Sequence, residues 1–412
     1  MQSEIHSTVA RLLPEAQAVL CDLIRFPSTC GNEQAAMRYL SVIFRKPCMG
    51  LKCSRVALTD KLLDDPDYSN PVPGIKYAGR FNLRVARKGR GGGRSLLFNT
   101  HLDVVPPSEN MDQPWTPRVV DGVVHGRGAC DAKGQAATFW LVMRALAEMK
   151  IKLAGDVIGH LVVEEENGGN GSLAMARHGE RADGCIVLEP SGGKLFTSIR
   201  GAIWFRLVFT GRAGHSGQAG VTRSALLMAR DAMNALEQYH AKLLAGSRGL
   251  PLFDVYPNPM PLTFGKLEAG NWPASAPSRA VLAGVLGLLP NKTKEQVCDE
   301  FRAALQAAGD EFFTQNFELQ FMYKHDSSVL DPAHPLPQSI LRASGQTLEV
   351  AGMTASCDAW FYNNQLKIPT VVCGPGTLKV AHSKDEQIGM QEIAGAAETL
   401  LSSIVDYCGA KT

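Results

Sequence analysis

The sequence predicts an α/β fold: a mostly parallel sheet flanked by helices, with an inserted α+β domain. Two observations lead to this prediction. Buried-type strands alternate with helical segments at both ends of the chain, which is typical of a parallel sheet covered by helices. Between them lies a segment with longer strands and two helices, typical of a small α+β unit. We therefore expect a discontinuous domain, 1–199 and 323–412, interrupted by a second domain at 200–322.

Apolar spacing and turn residues place the individual elements. Helices are predicted over 14–27, 32–47, 133–150, 222–244, 335–348 and 391–408. Strands are predicted over 81–86, 95–105, 156–164, 185–188, 199–209, 260–267, 279–289, 317–322 and 370–373. A further helix follows Thr293, which stands at capping-box spacing from Gln296.

Composition excludes several classes of protein. Among 412 residues, 42 Lys and Arg oppose 40 Asp and Glu, so the charge of +2 argues against nucleic acid or an anionic membrane as partner. No apolar run reaches the ~18 residues that span a bilayer, and the N-terminus lacks the features of a secretory signal. Ten scattered cysteines without a Cys-x-x-Cys pair suit a reducing compartment. We expect a cytoplasmic protein.

Polar side chains collect where predicted strands end. His101 and Asp103 point to the same face of one strand, and a carboxylate beside an imidazole suits a metal ligand or a structural pair. Asp131 follows a Gly-rich turn before a helix, where it is either a ligand or an N-cap. Three carboxylates, 164–166, follow an apolar strand, and a surface charge run fits poorly there.

Glu189 ends another strand, and His382 follows a Gly-Pro-Gly loop. Ligands at the carboxyl ends of an open α/β sheet converge on one crevice. The two imidazoles and three carboxylates suit zinc, with manganese or cobalt as alternatives. Three carboxylates against two divalent ions leave one positive charge, which a bridging hydroxide would cancel. The candidate metal ligands are His101, Asp131, Glu166, Glu189 and His382.

Seven ordered motifs resemble the dinuclear zinc peptidase and deacylase family, which includes acetylornithine deacetylase, succinyl-diaminopimelate desuccinylase, aminoacylase and glutamate carboxypeptidase. The resemblance covers nearly the whole chain. The motifs are His-x-Asp with Trp115, Gly-Arg-Gly-Ala-x-Asp, Glu-Glu-x-Gly, Glu-Pro, Gly-His-Ser, Gly-Pro-Gly and Ala-His-Ser-x-x-Glu.

The resemblance implies a role for each residue of the metal site. Asp131 bridges two ions; His101 and Glu189 complete one site, Glu166 and His382 the other. The resemblance further implies that Glu165 is the general base that activates a bridging water and that Asp103 orients His101. It also implies that Glu164 only flanks the pair of Glu165 and Glu166, and that the Asp131–Ala132 peptide is cis.

The resemblance also implies a lid that forms a homodimer, with His215 acting in the partner's active site. It assigns a substrate contact to Asn271, and we expect the loop of Gly374 and Gly376 to hold a substrate carboxylate together with the lid. One departure concerns an arginine that many members carry in a lid strand to bind a substrate carboxylate. Gly287 stands at that position here, so Arg279, Arg200 or Arg206 would have to replace it.

Three other functional classes fit less well. Gly-His-Ser-Gly-Gln, 214–218, fails the serine-hydrolase elbow at its last position. No glycine-rich segment follows a strand and opens a helix as a nucleotide site requires. A binding protein derived from the family would lack ligands or the base, and all are present. We therefore predict hydrolysis of an N-acyl amino acid, with a dipeptidase or carboxypeptidase as the alternative.

Overall fold

The computed structural model describes residues 1–218 and 220–410, which form a mixed α/β fold. Within these ranges the helices are α1 Gln2–Ile24, α2 Gln34–Phe44, α3 Lys133–Glu148, α4 Asn170–His178, α5 Ala225–Ala245, α6 Lys294–Gln306, α7 Glu311–Gln315, α8 Pro335–Ala343 and α9 Met390–Cys408. None of these described helices is both long enough and apolar enough to cross a bilayer.

The strands are numbered in chain order. They are β1 Lys52–Ala57, β2 Phe81–Arg87, β3 Leu96–His101, β4 Arg118–Val120, β5 Val123–His125, β6 Val157–Val162, β7 Gly184–Val187, β8 Lys194–Ile199, β9 Gly201–Thr210, β10 Gly214–His215, β11 Leu262–Ala269, β12 Ser275–Ala276, β13 Arg279–Leu288, β14 Phe317–His325, β15 Ser328–Val329, β16 Glu349–Met353, β17 Thr370–Val372 and β18 Gln387–Gly389.

The central sheet carries four parallel strands side by side, in the order β6, β3, β7 and β17. Antiparallel pairs extend it on both sides, to β2 and β1 beyond β6 and to β8 and β15 beyond β17. Every residue of β3 and β6 is buried, as in strands covered on both faces. The predicted fold class is confirmed, with the parallel pairing concentrated at the centre.

Three predicted elements differ from the structure. Helix α1 starts at Gln2 and passes through Pro14, because residues before the proline continue the same buried face. The strand predicted over 199–209 is divided at Arg200, so that β8 belongs to the central sheet and β9 to a second sheet. The helix predicted over 335–348 ends at Ala343, and β16 follows it.

The second sheet is antiparallel, in the order β11, β13, β9 and β14, and α5 and α6 pack against it. Phe205, Phe209 and Phe301 belong to its core, which is distinct from the core of the central sheet. The predicted capping box of α6 is present, with Thr293 and Gln296 bonded reciprocally. The division at 200 and 322 stays a prediction, and the separation of the two cores supports it.

Candidate metal centre and active site

The five candidate metal ligands follow neighbouring strands of the central sheet. His101 is the last residue of β3, Glu166 follows β6 and Glu189 follows β7. Because these three strands are parallel neighbours, their carboxyl ends meet at one edge. Asp131 reaches the same edge from the loop before α3, and His382 from the loop before β18.

Asp131 lies between the two imidazoles. Its Oδ1 is 3.1 Å from Nε2 of His101, and its Oδ2 is 3.4 Å from Nε2 of His382. The same nitrogen of His101 is 3.8 Å from a Glu189 oxygen, and that of His382 is 3.0 Å from Glu166. The structure thus groups the residues as two imidazole–carboxylate pairs that share Asp131.

Burial and crowding set the charges of these groups. Burial, followed by the charge of Asp131, raises the pKa of Glu166 to about 7. Burial also raises the pKa of Glu189 to about 7, although His101 opposes the shift. Hydrogen bonds to Asp131 and Glu166 raise the pKa of His382 to about 10. Glu166 and Glu189 are therefore partly protonated near neutral pH unless a cation replaces those protons.

The donor set fits divalent cations. One ligand atom each from His101, Asp131 and Glu166 lies within 4.8 Å of the others. The buried Oε1 of Glu189 has no hydrogen-bond partner among the described residues, so a lone pair is left for a ligand. The imidazole–carboxylate contacts stand where metal–ligand bonds would be, and nitrogen with oxygen donors suits zinc, cobalt or manganese.

Asp103 positions the candidate base more directly than it positions His101. Nδ1 of His101 donates to the backbone oxygen of Asp103 at 2.9 Å, while the Asp103 carboxylate is 3.5 Å away. That carboxylate accepts the backbone N–H of Glu165 at 3.1 Å and of Glu166 at 3.0 Å. Its main partner is therefore the turn after β6, which sequence reasoning did not anticipate.

The candidate base, Glu165, is surrounded by charged groups. Burial raises the pKa of Glu165 well above its usual range, and the charge of His101 opposes this shift while those of Glu189, Asp358 and Glu166 add to it. Sequence reasoning missed Asp358, which is buried and accepts a hydrogen bond from Ser172. Its only sequence signal is an acidic residue in an otherwise apolar segment.

Two further residues were missed as supports of the Asp131 loop. Glu386 is buried and accepts the backbone N–H of Cys130 at 3.1 Å and of Asp131 at 3.0 Å. Arg127 donates to its other oxygen at 2.6 Å. Both residues stand inside recognised motifs, which was the available signal. The next peptide bond, Asp131–Ala132, is cis, as predicted.

The Gly-Pro-Gly loop packs against the metal site. A Cβ at Gly374 would lie 2.7 Å from the backbone oxygen of Glu189, and one at Gly376 would lie 2.6 Å from Sγ of Cys130. Both glycines are buried, and Gly376 has a φ of +80°. Close packing and backbone geometry therefore account for glycine here, and a substrate contact stays a prediction.

The lid candidates gather around strands β10 and β12. His215 is exposed and pairs with Ser275 where β10 meets β12. Asn271 and Arg279 line a cavity of about 500 Å³ beside these strands. Among the described residues, no hydrogen bond or ion pair joins His215 to Asp131 or the other candidate ligands. The predicted site residues thus form two groups in the structure: the candidate metal ligands, and the lid candidates around β10 and β12.

Arg200 occupies the space beside Gly287. A Cβ at Gly287 would lie 2.6 Å from NH1 of Arg200. Arg200 is buried and donates to backbone oxygens of Thr354 at 2.5 Å and Gly201 at 3.2 Å, and burial lowers its pKa to about 10. Arg279, by contrast, is exposed at the start of β13.

Comparison with known proteins finds relatives and solved structures that cover most of the chain. The N-formyl-4-amino-5-aminomethyl-2-methylpyrimidine deformylase of Bacillus subtilis is 26% identical, over 77% of this chain and 80% of its own. A succinyl-diaminopimelate desuccinylase of Methylibium petroleiphilum is 28% identical, over 78% and 84%. The solved structure of a dipeptidase from Saccharomyces cerevisiae superposes with a TM-score of 0.81 at 13% identity, covering 100% of this chain and 99% of that one.

The model of one protein family matches most of the chain. Residues 97–406 match peptidase family M20/M25/M40, a stretch that includes all five candidate ligands and Glu165. The match confirms the resemblance drawn from the motifs. The chain therefore belongs to peptidase family M20/M25/M40, and it is a metal-dependent hydrolase of amide or peptide bonds.

Proposed function

We propose that the protein removes an acyl group from the nitrogen of an amino acid or a similar small amine, at a site that holds two divalent ions. The observation that carries this proposal is Asp131 between two imidazoles, each of which has a second carboxylate beside it. The names of both curated relatives, a deformylase and a desuccinylase, support deacylation. Zinc is the ion we expect.

The two ions would lower the pKa of a shared water and polarise the scissile carbonyl. Glu165 takes the proton from this water and then delivers it to the leaving nitrogen, so that the amine departs neutral. The raised pKa of Glu165 supports this role, because a more basic carboxylate takes the proton from water more readily and, once protonated, can deliver it to the leaving nitrogen. Asp103 holds Glu165 through the backbone N–H.

Substrate recognition is proposed to involve the buried guanidinium of Arg200 and residues of a second subunit. Arg200 replaces the arginine missing at Gly287 and holds a substrate carboxylate, because its guanidinium lies against Gly287 with only carbonyl partners. His215 and Asn271 complete the site of a partner subunit in a homodimer. Among the described residues, His215 forms no hydrogen bond or ion pair with the candidate ligands of its own chain, as action between subunits requires.

We infer a cytoplasmic location. All ten cysteines lie in the described residues and are free. Six of them are buried, as small core residues are in a protein that folds under reducing conditions. Fractionation of the native cells with an antibody to the chain tests this inference: recovery in the soluble cytoplasmic fraction supports it, and export contradicts it.

The proposal is tested with a panel of N-acyl amino acids and unblocked dipeptides on zinc-reconstituted protein. We expect turnover of N-acyl substrates and a loss of at least about 10³-fold in Glu165→Gln, because the base is removed while the ligands remain. Glu318→Gln, an exposed glutamate on β14, is the matched control and should keep full activity. Turnover of free dipeptides alone would favour a peptidase, and no turnover in either class would overturn the proposal.

A further inference from the structure

A second group of buried ionisable residues lies behind the turn that carries Glu165. The guanidinium of Arg80 lies between two glutamates. Its Nη2 is 2.8 Å from both carboxylate oxygens of Glu33, and its Nη1 is 2.5 Å from Oε1 of Glu164. The exposed fraction of all three side chains is 4% or less. Arg80 is the cation that faces both carboxylates; its single charge balances one of them, and burial raises the pKa of Glu33 to about 7, so that Glu33 is partly protonated.

The side chain of Glu164 is fixed from several sides. Its Oε2 accepts a hydrogen bond from the hydroxyl of Tyr77 at 2.7 Å and from Nδ2 of Asn170 at 3.1 Å. With Arg80 on Oε1, the two oxygens have three partners on two segments of the chain, the loop before β2 and the start of α4. A glutamate held in this way cannot turn its carboxylate elsewhere without leaving Arg80 buried and short of a partner.

The backbone of Glu164 is in an unusual conformation. Its φ is +58°, in the left-handed region that L-residues rarely adopt. Such a conformation costs free energy and persists where the surroundings enforce it. The next two residues direct their backbone N–H groups at the carboxylate of Asp103. The turn is thus held by Asp103 on one side and by Arg80, through Glu164, on the other.

We propose that Arg80 is a positioning residue for the active site: through Glu164 it holds the turn that sets both Glu165 and Glu166. This inference rests on the proposed function, which assigns the base to Glu165 and a metal ligand to Glu166. Arg80 touches neither substrate nor ion. Its effect is exerted through a side chain one residue before the base, where a small rotation displaces both functional carboxylates.

The chain offers a matched control for this proposal. Arg84 lies on β2, the strand that begins directly after Arg80, and forms an ion pair with Glu180, which follows α4. Both side chains of this pair are largely buried. Neither residue is adjacent to the turn after β6. Loss of the Arg84 pair should lower stability without moving Glu165, whereas loss of the Arg80 pair should do both.

The experiment compares Arg80→Lys, Glu164→Gln and Arg84→Lys by Co²⁺ titration, followed by visible absorption, and by steady-state kinetics with the best substrate of the panel. Lysine keeps the charge but cannot contact both glutamates as the guanidinium does. We expect Arg80→Lys and Glu164→Gln to lower kcat about 10- to 100-fold with KM within about twofold, since misplacement of a catalytic group by ~1 Å has effects of this size.

Arg80→Lys and Glu164→Gln should also bind one of two Co²⁺ ions about tenfold more weakly, because Glu166 moves with the turn. The control, Arg84→Lys, should retain wild-type kcat and Co²⁺ affinity. If Arg80→Lys does not fold, Glu164→Gln carries the same test. Wild-type kcat and Co²⁺ affinity in the Arg80 and Glu164 variants would overturn the inference. If the wild-type protein hydrolyses no substrate, the proposed function fails, and the Co²⁺ titration still decides whether Arg80 positions Glu166.

Discussion

The buried carboxylate of Glu386 accepts the backbone N–H of Asp131 at 3.0 Å, so the residue that lies between the two imidazoles is held by a second acidic residue. Arg127 balances the charge of Glu386 and also donates a hydrogen bond to the hydroxyl of Ser108. That hydroxyl donates in turn to the backbone oxygen of His382, in the loop that carries this candidate ligand. One ion pair therefore connects two loops that carry ligands.

Removal of Glu386 should weaken metal binding. In Glu386→Ala we expect Zn²⁺ affinity to fall about 10- to 100-fold, the usual range for residues that orient metal ligands, because the Asp131 loop loses its anchor. Competition with a chromophoric chelator measures this change. Glu392→Ala is the control, since Glu392 caps the start of α9 through Gly389 and contacts no candidate ligand. Equal affinities in the two variants would contradict the assigned role.

Metal binding should release protons and tighten as the pH rises. At pH 7 His382, with a pKa raised to about 10, holds a proton, and Glu166 and Glu189, with pKa values of about 7, are partly protonated. A cation must displace these protons, so affinity should increase between about pH 6 and pH 9. Calorimetry in two buffers of different protonation enthalpy counts the released protons, and a count of zero at pH 7 would refute the prediction.

The ion pair of Glu180 should contribute stability that acid removes. Burial would raise the pKa of Glu180, but hydrogen bonds from His160 and Arg84 lower it to about 2. Because the folded pKa is below the unfolded value near 4.5, the stabilisation is complete above about pH 4.5 and disappears as the pH falls towards 2. Glu180→Gln should lose up to about 3 kcal/mol at pH 7 and progressively less below pH 4.5.

Chemical denaturation at several pH values measures this difference. Glu148→Gln, which removes a partly exposed partner of Arg144, is the control and should change stability little at any pH. A difference between wild type and Glu180→Gln that does not shrink in acid would show that the carboxylate of Glu180 is not held in its charged form.

The packing of Gly376 gives a paired test. Gly376→Ala should cost at least about 1 kcal/mol for the positive φ, and more for the contact with Sγ of Cys130. Adding Cys130→Ala should recover part of this loss, because the sulfur is removed while the backbone cost remains. Thermal unfolding of the two single variants and the double variant measures the coupling. Strictly additive effects would mean that the two residues do not clash.

The sequence predicted the parallel sheet centre and the grouping of ligands because both depend on local signals. Buried-type strands ending in His101 and Glu189 are visible in the chain as apolar runs followed by a polar residue. The motif around His382 includes Glu386, but its support of Asp131 was not predicted, since a contact between a carboxylate and a backbone N–H 255 residues away leaves no local pattern. Arg80 was missed for the same reason, because its partners lie in separate segments.

The most direct test of the central claim is the number of ions that share Asp131. Wild-type protein, stripped of metal and titrated with Co²⁺ under visible absorption, should bind two ions per chain. Asp131→Ala should lose tight binding of both, because each half-site contains one of its oxygens, whereas Glu189→Ala should retain one. Binding of a single ion by the wild type, or of two by Asp131→Ala, would contradict the account.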